Sequence, residues 1–229
     1  MRAYTSLAGH ILGSNPAING YYEMHISYDG SSAYERQIRD FKAIESIKEN
    51  SCYIFDKLLH NNYKPPEATL DHIPLKILVS LREPISTISS IVDLFTQKQS
   101  DESYANPKQA TEYYIERLEC LANFCRTTGH DYYYFDAVLF KTEPTALLSV
   151  LSKWLELATP LSAKYQIFSQ TGVARKGDTS KAIKSGSIDR TTITHKIPPI
   201  PEPLLQRAQT VYLNCRREII ENAVDSVVS

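Results

Sequence analysis

The chain begins with a cation and two hydroxyl groups placed directly before an apolar run. Arg2 is followed by Thr5 and Ser6, and the residues LAGHIL continue from there. Backbone N–H groups at the start of a helix attract anions, and a nearby cation and hydroxyls add to that attraction. The stretch therefore predicts either an ordinary Ser/Thr helix cap or an anion-binding site.

Two further stretches could bind an anion. Arg82 directly follows the apolar run KILVSL, and Ser90 lies eight residues further along the chain, about two helical turns away. An arginine after a strand can hold a phosphate through two parallel hydrogen bonds, although an ion-paired structural arginine is the alternative. The third candidate comprises Arg175, Lys176 and Gly177, for which a solvated charge run is the alternative.

The pattern of apolar residues predicts the elements that would position these side chains. We predict helices over 4–14, 34–49, 85–97, 108–128, 143–157 and 203–224. Strands are predicted at 76–81 and within 130–140, 51–59 is predicted to be a strand running into a helix, and 172–200 a long basic surface loop. Alternating strands and helices indicate one α/β domain over residues 1–229, with a mainly parallel central sheet flanked by helices. Ligands of such sheets bind beyond the carboxyl ends of the strands.

The composition narrows the range of partners. A net charge of −1 provides no overall field that would attract nucleic acid or an anionic membrane, so neither is an expected partner. The sequence contains no apolar run long enough for a membrane span and no signal-peptide layout, which predicts a cytoplasmic protein. The cysteines lack metal-site spacing and are expected to be reduced thiols. No GxxxxGK[ST] motif occurs, which disfavours an ordinary Walker-type nucleotide kinase. Three separated cationic stretches without a magnesium-binding signature predict a ligand with several phosphates, bound without an obligatory metal.

These stretches resemble the sulfotransferases that use 3′-phosphoadenosine 5′-phosphosulfate (PAPS). RAYTS resembles their [R/K]SG[S/T]T-type loop, which binds the 5′-phosphosulfate. KILVSLREPISTISS resembles their strand followed by R-x-P and by a serine eight residues after the arginine. The resemblance implies a P-loop-kinase-like sulfotransferase fold. It places Arg2, Thr5 and Ser6 at the 5′-phosphosulfate, and Arg82 and Ser90 at the 3′-phosphate.

Other segments extend the resemblance. GYYEMH is similar to the GEP-type segment of bacterial and carbohydrate sulfotransferases, in which the glutamate is a candidate base. YYYFDAV resembles a strand end that would bring Tyr134 to the adenine, and ARKGDTS resembles the late basic loop that covers the nucleotide. Tyr4 stands where the family has a glycine, and the family's first central strand would be expected before Arg2.

The resemblance implies transfer of a sulfuryl group from PAPS to a hydroxyl of a carbohydrate, glycolipid or small molecule, without a metal. Arg2 would stabilise the leaving phosphate, and Glu23 would take the acceptor's proton, with His25 and His60 as other candidate bases. Lys57 would assist the leaving group or anchor the acceptor. The residues expected to flank the acceptor are Tyr21, Tyr22, Tyr28 and Tyr53. Two alternatives stay open: a metal-dependent phosphotransferase on the same fold, and a truncated relative that binds a nucleotide or partner without catalysis.

Overall fold

A computed structural model describes the chain except residues 1, 31, 64, 67–69, 72–73, 99–102, 174–181 and 192–195, and describes residue 98 by its backbone only. The helices of the described residues are α1 (Thr5–Ser14), α2 (Ala33–Lys42), α3 (Pro84–Lys98), α4 (Pro107–Thr127), α5 (Leu139–Thr142), α6 (Pro144–Trp154) and α7 (Glu202–Asn222). The strands are β1 (Ile18–Asn19), β2 (Tyr53–Ile54), β3 (Ile77–Leu81), β4 (Tyr132–Asp136) and β5 (Asp225–Val227).

The six helices predicted over 4–14, 34–49, 85–97, 108–128, 143–157 and 203–224 are found in place, two of them with shorter bounds, whereas α5 was not predicted. The helix predicted over 34–49 ends at Lys42, and the one predicted over 143–157 ends at Trp154. The helix predicted after the strand of 51–59 is wrong, because residues 55–60 form no helix. The sequence also gave no sign of β1 or β5. No helix within the described ranges has both the length and the apolar character needed to cross a membrane.

The contacts divide the chain into two compact units. The three-stranded unit comprises Met1–Ala3, Ile77–Val138 and Thr192–Ser229, and the two-stranded unit comprises Tyr4–Lys76 and Leu139–Thr191. Each unit therefore draws on separate stretches of the chain. The single domain over 1–229 stays a prediction.

The three-stranded unit is built on a parallel sheet in the order β3-β4-β5. Leu81 at the end of β3 pairs with Asp136 at the end of β4, so both strands finish at the same edge. Side chains of the sheet and of α3, α4 and α7 form one apolar core that includes Val79, Ile88 and Ile219. The register therefore brings Arg82, the residue after β3, to the carboxyl edge of the sheet.

In the two-stranded unit, β1 and β2 pair in parallel, with Ile18 opposite Tyr53. Helix α1 packs closely against the chain that follows β1: a Cβ atom on Gly13 would lie 2.5 Å from the carbonyl oxygen of Gly20. The helix ends at Ser14, as predicted, and Gly13 permits this close approach. The Lys48 ammonium closes the end of α1 by donating to the main-chain carbonyls of residues 13, 15 and 18.

Candidate functional site

Three residues predicted to bind an anion lie together in the three-stranded unit. Nη1 of Arg82 donates a hydrogen bond to the carbonyl oxygen of Arg2 at 3.1 Å. Nε of Arg2 donates to the hydroxyl oxygen of Ser90 at 2.9 Å, and Ser90 is only 2% exposed. We call Arg2, Arg82 and Ser90 the arginine cluster. Because the Ser90 oxygen acts here as an acceptor, its own proton is available for donation to an anion.

The main chain around Arg82 is fixed by hydroxyl groups. The Tyr114 hydroxyl donates to the Arg82 carbonyl oxygen at 2.9 Å, and the Thr87 hydroxyl donates to the Glu83 carbonyl oxygen at 2.8 Å. The carboxylate of Glu83 accepts from two amides of the first turn of α3 at 2.8 and 2.9 Å. This helix start is thus capped by the protein's own carboxylate. An anion at this edge would be held by the side chains of the arginine cluster and not by the helix terminus.

Tyr134, which the resemblance placed at the adenine, lies in the core. It is fully buried (0% exposed) in the core of the three-stranded unit, and its hydroxyl donates to Asp136 at 2.6 Å. Arg216 donates to both oxygens of the same carboxylate, at 2.9 and 2.6 Å. Burial alone would raise the pKa of Asp136, but the hydrogen bonds from Arg216 and Tyr134 outweigh it and hold the pKa below its usual value. The position of Tyr134 supports a structural role, and we assign it no ligand contact.

The two hydroxyls of the opening stretch belong to the two-stranded unit. Thr5 and Ser6 are the first residues of α1, so the expectation of an ordinary Ser/Thr cap is wrong: the N-cap is Tyr4, whose side chain makes no capping hydrogen bond. Nζ of Lys57 donates to the Ser6 hydroxyl oxygen at 3.4 Å, and Lys57 is only 6% exposed. A cation and a hydroxyl therefore meet at the first turn of this helix.

Glu23 has the features of a proton acceptor. The residue is 7% exposed, and its buried Oε1 accepts no hydrogen bond from any described residue. Nε2 of His60 lies 3.8 Å from that oxygen, at ion-pair distance, and the His60 side chain is 40% exposed. His25, the other candidate base, is exposed, and its ring centre lies 5.7 Å from that of Tyr63. A buried carboxylate oxygen without a donor can accept a proton from a bound hydroxyl.

Asp56 connects the two segments that carry Glu23 and Lys57, and the sequence reasoning missed it. Its Oδ1 accepts from the amides of Met24 at 3.0 Å and Lys57 at 2.7 Å, and its Oδ2 accepts from the Tyr28 hydroxyl at 2.7 Å. Burial raises the pKa of Asp56, while these hydrogen bonds and the Lys57 charge act in the opposite direction. Burial beside this carboxylate also raises the pKa of Tyr28.

His10 is a second residue that the sequence reasoning missed. Its imidazole is buried among the rings of Tyr21, Tyr165 and Phe168. Nδ1 lies 2.8 Å from the Ser6 carbonyl oxygen, and Nε2 lies 2.9 Å from the Thr171 hydroxyl. Nδ1 therefore donates to the Ser6 carbonyl oxygen, and Nε2 forms a hydrogen bond with the Thr171 hydroxyl. His10 thus ties the first turn of α1 to the chain just before residues 174–181.

The tyrosines expected at the acceptor are mostly core residues. Tyr21, Tyr22 and Tyr28 are buried, and the Tyr53 hydroxyl donates to the Leu155 carbonyl oxygen at 3.0 Å. Burial raises the pKa of Tyr21 to about 12. These positions do not support the expectation that the tyrosines flank an acceptor.

Part of the predicted site lies outside the described residues. Arg175, Lys176 and Gly177 fall within residues 174–181, so their place at a nucleotide stays a prediction. Among the described side chains, no group of three or more His, Cys, Asp or Glu residues is arranged to hold a metal ion.

Comparison with known proteins gives a result at the level of structure. No protein-family model matches the sequence, and comparison with curated proteins finds no similar sequence. Among solved structures, the chain is similar to the sulfotransferase domain from the curacin biosynthetic pathway, with a TM-score of 0.61 and 17% sequence identity over 93% of this chain and 94% of that one. The chain has a sulfotransferase-like fold. The predicted α/β class with parallel strands flanked by helices is therefore confirmed.

Proposed function

We propose that this protein is a sulfotransferase that moves a sulfuryl group from PAPS to a hydroxyl of a carbohydrate, glycolipid or small-molecule acceptor. The observation that carries the proposal is the arginine cluster. Its three residues match the phosphate-binding positions of the family's two motifs. Although Arg2 and Ser90 are 88 positions apart in the sequence, Arg2 contacts both Ser90 and Arg82 within one unit. The sulfotransferase-like fold supports the same conclusion.

The described residues fit a nucleotide with two anionic ends. Arg82 and Ser90 would hold the 3′-phosphate, because a guanidinium and a buried hydroxyl both donate to phosphate oxygens. Arg2, with Thr5 and Ser6, would hold the 5′-phosphosulfate, and Lys57 would add a cation beside Ser6.

PAPS supplies a sulfuryl group joined to a good phosphate leaving group. Transfer is an in-line displacement, in which the acceptor oxygen bonds to sulfur as the bond from sulfur to the phosphate oxygen breaks. Glu23 takes the proton of the acceptor hydroxyl at its buried Oε1, and loses it to solvent after product release. Arg2 and Lys57 stabilise the negative charge that develops on the leaving phosphate oxygen. His60, 3.8 Å from Glu23, would help to orient the carboxylate.

Titration calorimetry with 3′-phosphoadenosine 5′-phosphate, the product nucleotide, tests the binding half of the proposal. We expect the wild type to bind it, and Arg82→Ala to lose about 1.5–3 kcal/mol, or roughly 10- to 150-fold in Kd, because a charged hydrogen-bond partner is removed. Arg217→Ala is the matched control, since Arg217 is an exposed arginine of the same unit. No binding by a folded wild type, or equal losses in both variants, would refute the nucleotide site.

A transfer assay with Glu23→Gln tests the chemical half. Glutamine has nearly the same shape but cannot take a proton, so we expect near-normal nucleotide binding and a rate lowered by about 10²–10⁴-fold. An unchanged rate would remove Glu23 as the base. Transfer from ATP that requires Mg²⁺, in place of transfer from PAPS, would instead support the phosphotransferase alternative. Nucleotide binding without transfer to any hydroxyl would support the non-catalytic one.

A further inference from the structure

We propose that Asp56 is a positioning residue, which fixes the carboxylate of Glu23 and the ammonium of Lys57 in a common frame. The inference rests on the proposed function for its catalytic meaning, and on the hydrogen bonds of the two-stranded unit for its geometry. Asp56 touches neither nucleotide nor acceptor in this scheme. It acts through the two main-chain segments that it joins.

The carboxylate stands where the pairing of β1 and β2 gives way to irregular chain. The register Ile18–Tyr53 continues to a backbone hydrogen bond from the Phe55 amide to the Asn19 carbonyl oxygen at 2.7 Å. One residue later, Asp56 continues the connection with its side chain, because Oδ1 accepts from the Met24 amide at 3.0 Å. A single carboxylate oxygen thereby links the two segments beyond the last backbone hydrogen bond between them.

The bonded amides are the ones nearest to the reacting groups. Met24 directly follows Glu23, and the second amide bonded to Oδ1, at 2.7 Å, is that of Lys57 itself. The Tyr28 hydroxyl bonds Oδ2 at 2.7 Å and so ties the far end of the Glu23 segment to the same carboxylate. Since a displacement of about 1 Å in a reacting group can cost about 10²-fold in rate, a clamp at this point would matter more to turnover than to nucleotide affinity.

A different reading is that Asp56 serves as a buried counter-charge for Lys57. Asn in place of Asp distinguishes the two. An asparagine carbonyl oxygen can accept both amides that Oδ1 accepts now, and its NH₂ group can donate to the Tyr28 oxygen. The variant thus keeps the hydrogen bonds and loses only the charge. Burial disfavours the charged form of Asp56, so losing that charge carries no large penalty in stability.

The test compares Asp56→Asn, Asp56→Ala and Tyr28→Phe with the wild type in three measurements. Amide hydrogen exchange at Met24 and Lys57 reports the hydrogen bonds themselves. Calorimetry with 3′-phosphoadenosine 5′-phosphate reports the nucleotide site and the integrity of the fold. Steady-state transfer from PAPS, with methyl glucoside and 4-nitrophenol as hydroxyl probes, gives kcat and KM.

For Asp56→Ala we expect exchange at both amides to rise by about tenfold or more, kcat to fall by about 10–100-fold, and the nucleotide Kd and the KM for PAPS to stay within about threefold. For Asp56→Asn we expect all three measurements to stay within about threefold of the wild type, since geometry is retained. Tyr28→Phe leaves both bonds to Oδ1 in place but removes the bond to Oδ2, so its kcat should lie between those of the wild type and Asp56→Ala.

Each other outcome counts against a stated part of the reasoning. A wild-type kcat in Asp56→Ala would overturn the positioning role. An Asp56→Asn variant as slow as Asp56→Ala would show that Asp56 acts through its negative charge and not by positioning the two segments. Loss of nucleotide binding together with kcat in Asp56→Ala would mark a general structural role and also overturn the inference. A wild type that binds the nucleotide but transfers to neither probe overturns the proposed function for these acceptor classes and, with it, the catalytic role of Asp56.

Discussion

The ion pair between Arg216 and Asp136 provides a direct test of how the three-stranded unit is held together. Arg216 bonds both carboxylate oxygens, and the side chains of Arg216 and Asp136 are 24% and 4% exposed. Arg216→Met removes the guanidinium and retains an apolar stem of similar length. It therefore leaves a buried carboxylate at the end of β4 without its cation.

The expected cost follows from what Asp136 keeps. Breaking a buried ion pair by removing one partner costs about 3–5 kcal/mol when the remaining charge has no compensation. Here the carboxylate retains the Tyr134 hydroxyl at 2.6 Å and the Ser229 amide at 2.8 Å as donors, and Arg216 is partly in contact with solvent. Both features lower the cost, so we expect the free energy of unfolding to fall by about 2–3 kcal/mol.

Urea unfolding followed by far-UV circular dichroism at pH 7 measures this loss, and Arg126→Met is the matched control. Arg126 of α4 pairs with Glu218 of α7 at 3.1 Å, but the two side chains are 59% and 32% exposed. Exposed pairs contribute about 0–1 kcal/mol, so the control should lose no more than that. Equal losses in the two variants would refute the claim that burial makes the Arg216 pair contribute more to the free energy of unfolding than the exposed pair.

The pH dependence gives a second check with a definite sign. The pKa of Asp136 in the native protein lies below its ordinary value of 3.8, so the native state favours the ionised form more than the unfolded state does. Its contribution is therefore complete above about pH 3.8 and is lost as the pH falls through the native pKa. The difference in stability between wild type and Arg216→Met should shrink on acidification below that pH. A difference that stays constant down to pH 2 would contradict the assignment of the effect to this ionised pair.

Two further predictions concern the packing of α1. Gly13→Ala should lower the free energy of unfolding in urea by about 1–3 kcal/mol despite alanine's better helix propensity, because the new Cβ would meet the Gly20 carbonyl oxygen. The control Gly129→Ala, where the new Cβ would meet no atom within 4 Å, should be neutral or slightly stabilising in the same titration. Lys48→Met should lower the free energy of unfolding by about 1.5–3 kcal/mol, because three main-chain carbonyls lose a charged donor. The control Lys42→Met, at an exposed lysine, should change the thermal midpoint little. Equal midpoints for the two variants would show that the Lys48 contacts do not stabilise the fold.

Sequence reasoning worked where a signal is local. The run KILVSL predicted β3, because a compact β-branched stretch between breakers is typical of a buried strand, and the proline after Glu83 placed the start of α3. With β3 and α3 correctly predicted, the eight-residue spacing from Arg82 to Ser90 predicted that the two residues lie close together. Arg2 joined them only through the resemblance to a family motif, since no local rule relates residue 2 to residue 90.

The misses come from features that exist only after folding. Strand β1 has only two residues, which is too short for any periodic pattern, and Asp56 acquires its role only when the segments after β1 and β2 lie side by side. Tyr134 was assigned to the adenine because YYYFDAV resembles a strand end of the sulfotransferase family. It is buried here because Asp136, two residues along the same strand, satisfies its hydroxyl.

The opening stretch shows why a tyrosine can stand where the similar family has a glycine. Tyr4 adopts φ 53° and Arg2 adopts φ 60°, both in the left-handed region that glycine enters readily and that costs other residues about 1–2 kcal/mol. The surroundings hold these conformations: Arg2 is bonded to Arg82 and Ser90, and the Tyr4 carbonyl oxygen accepts the Ala8 amide at 2.9 Å in the first turn of α1. Backbone strain of this kind persists only where neighbouring contacts impose it, and it concentrates at functional sites. In this chain Arg2 and Tyr4 adopt it at the opening stretch, and His25, Asn50 and Glu156 adopt it elsewhere.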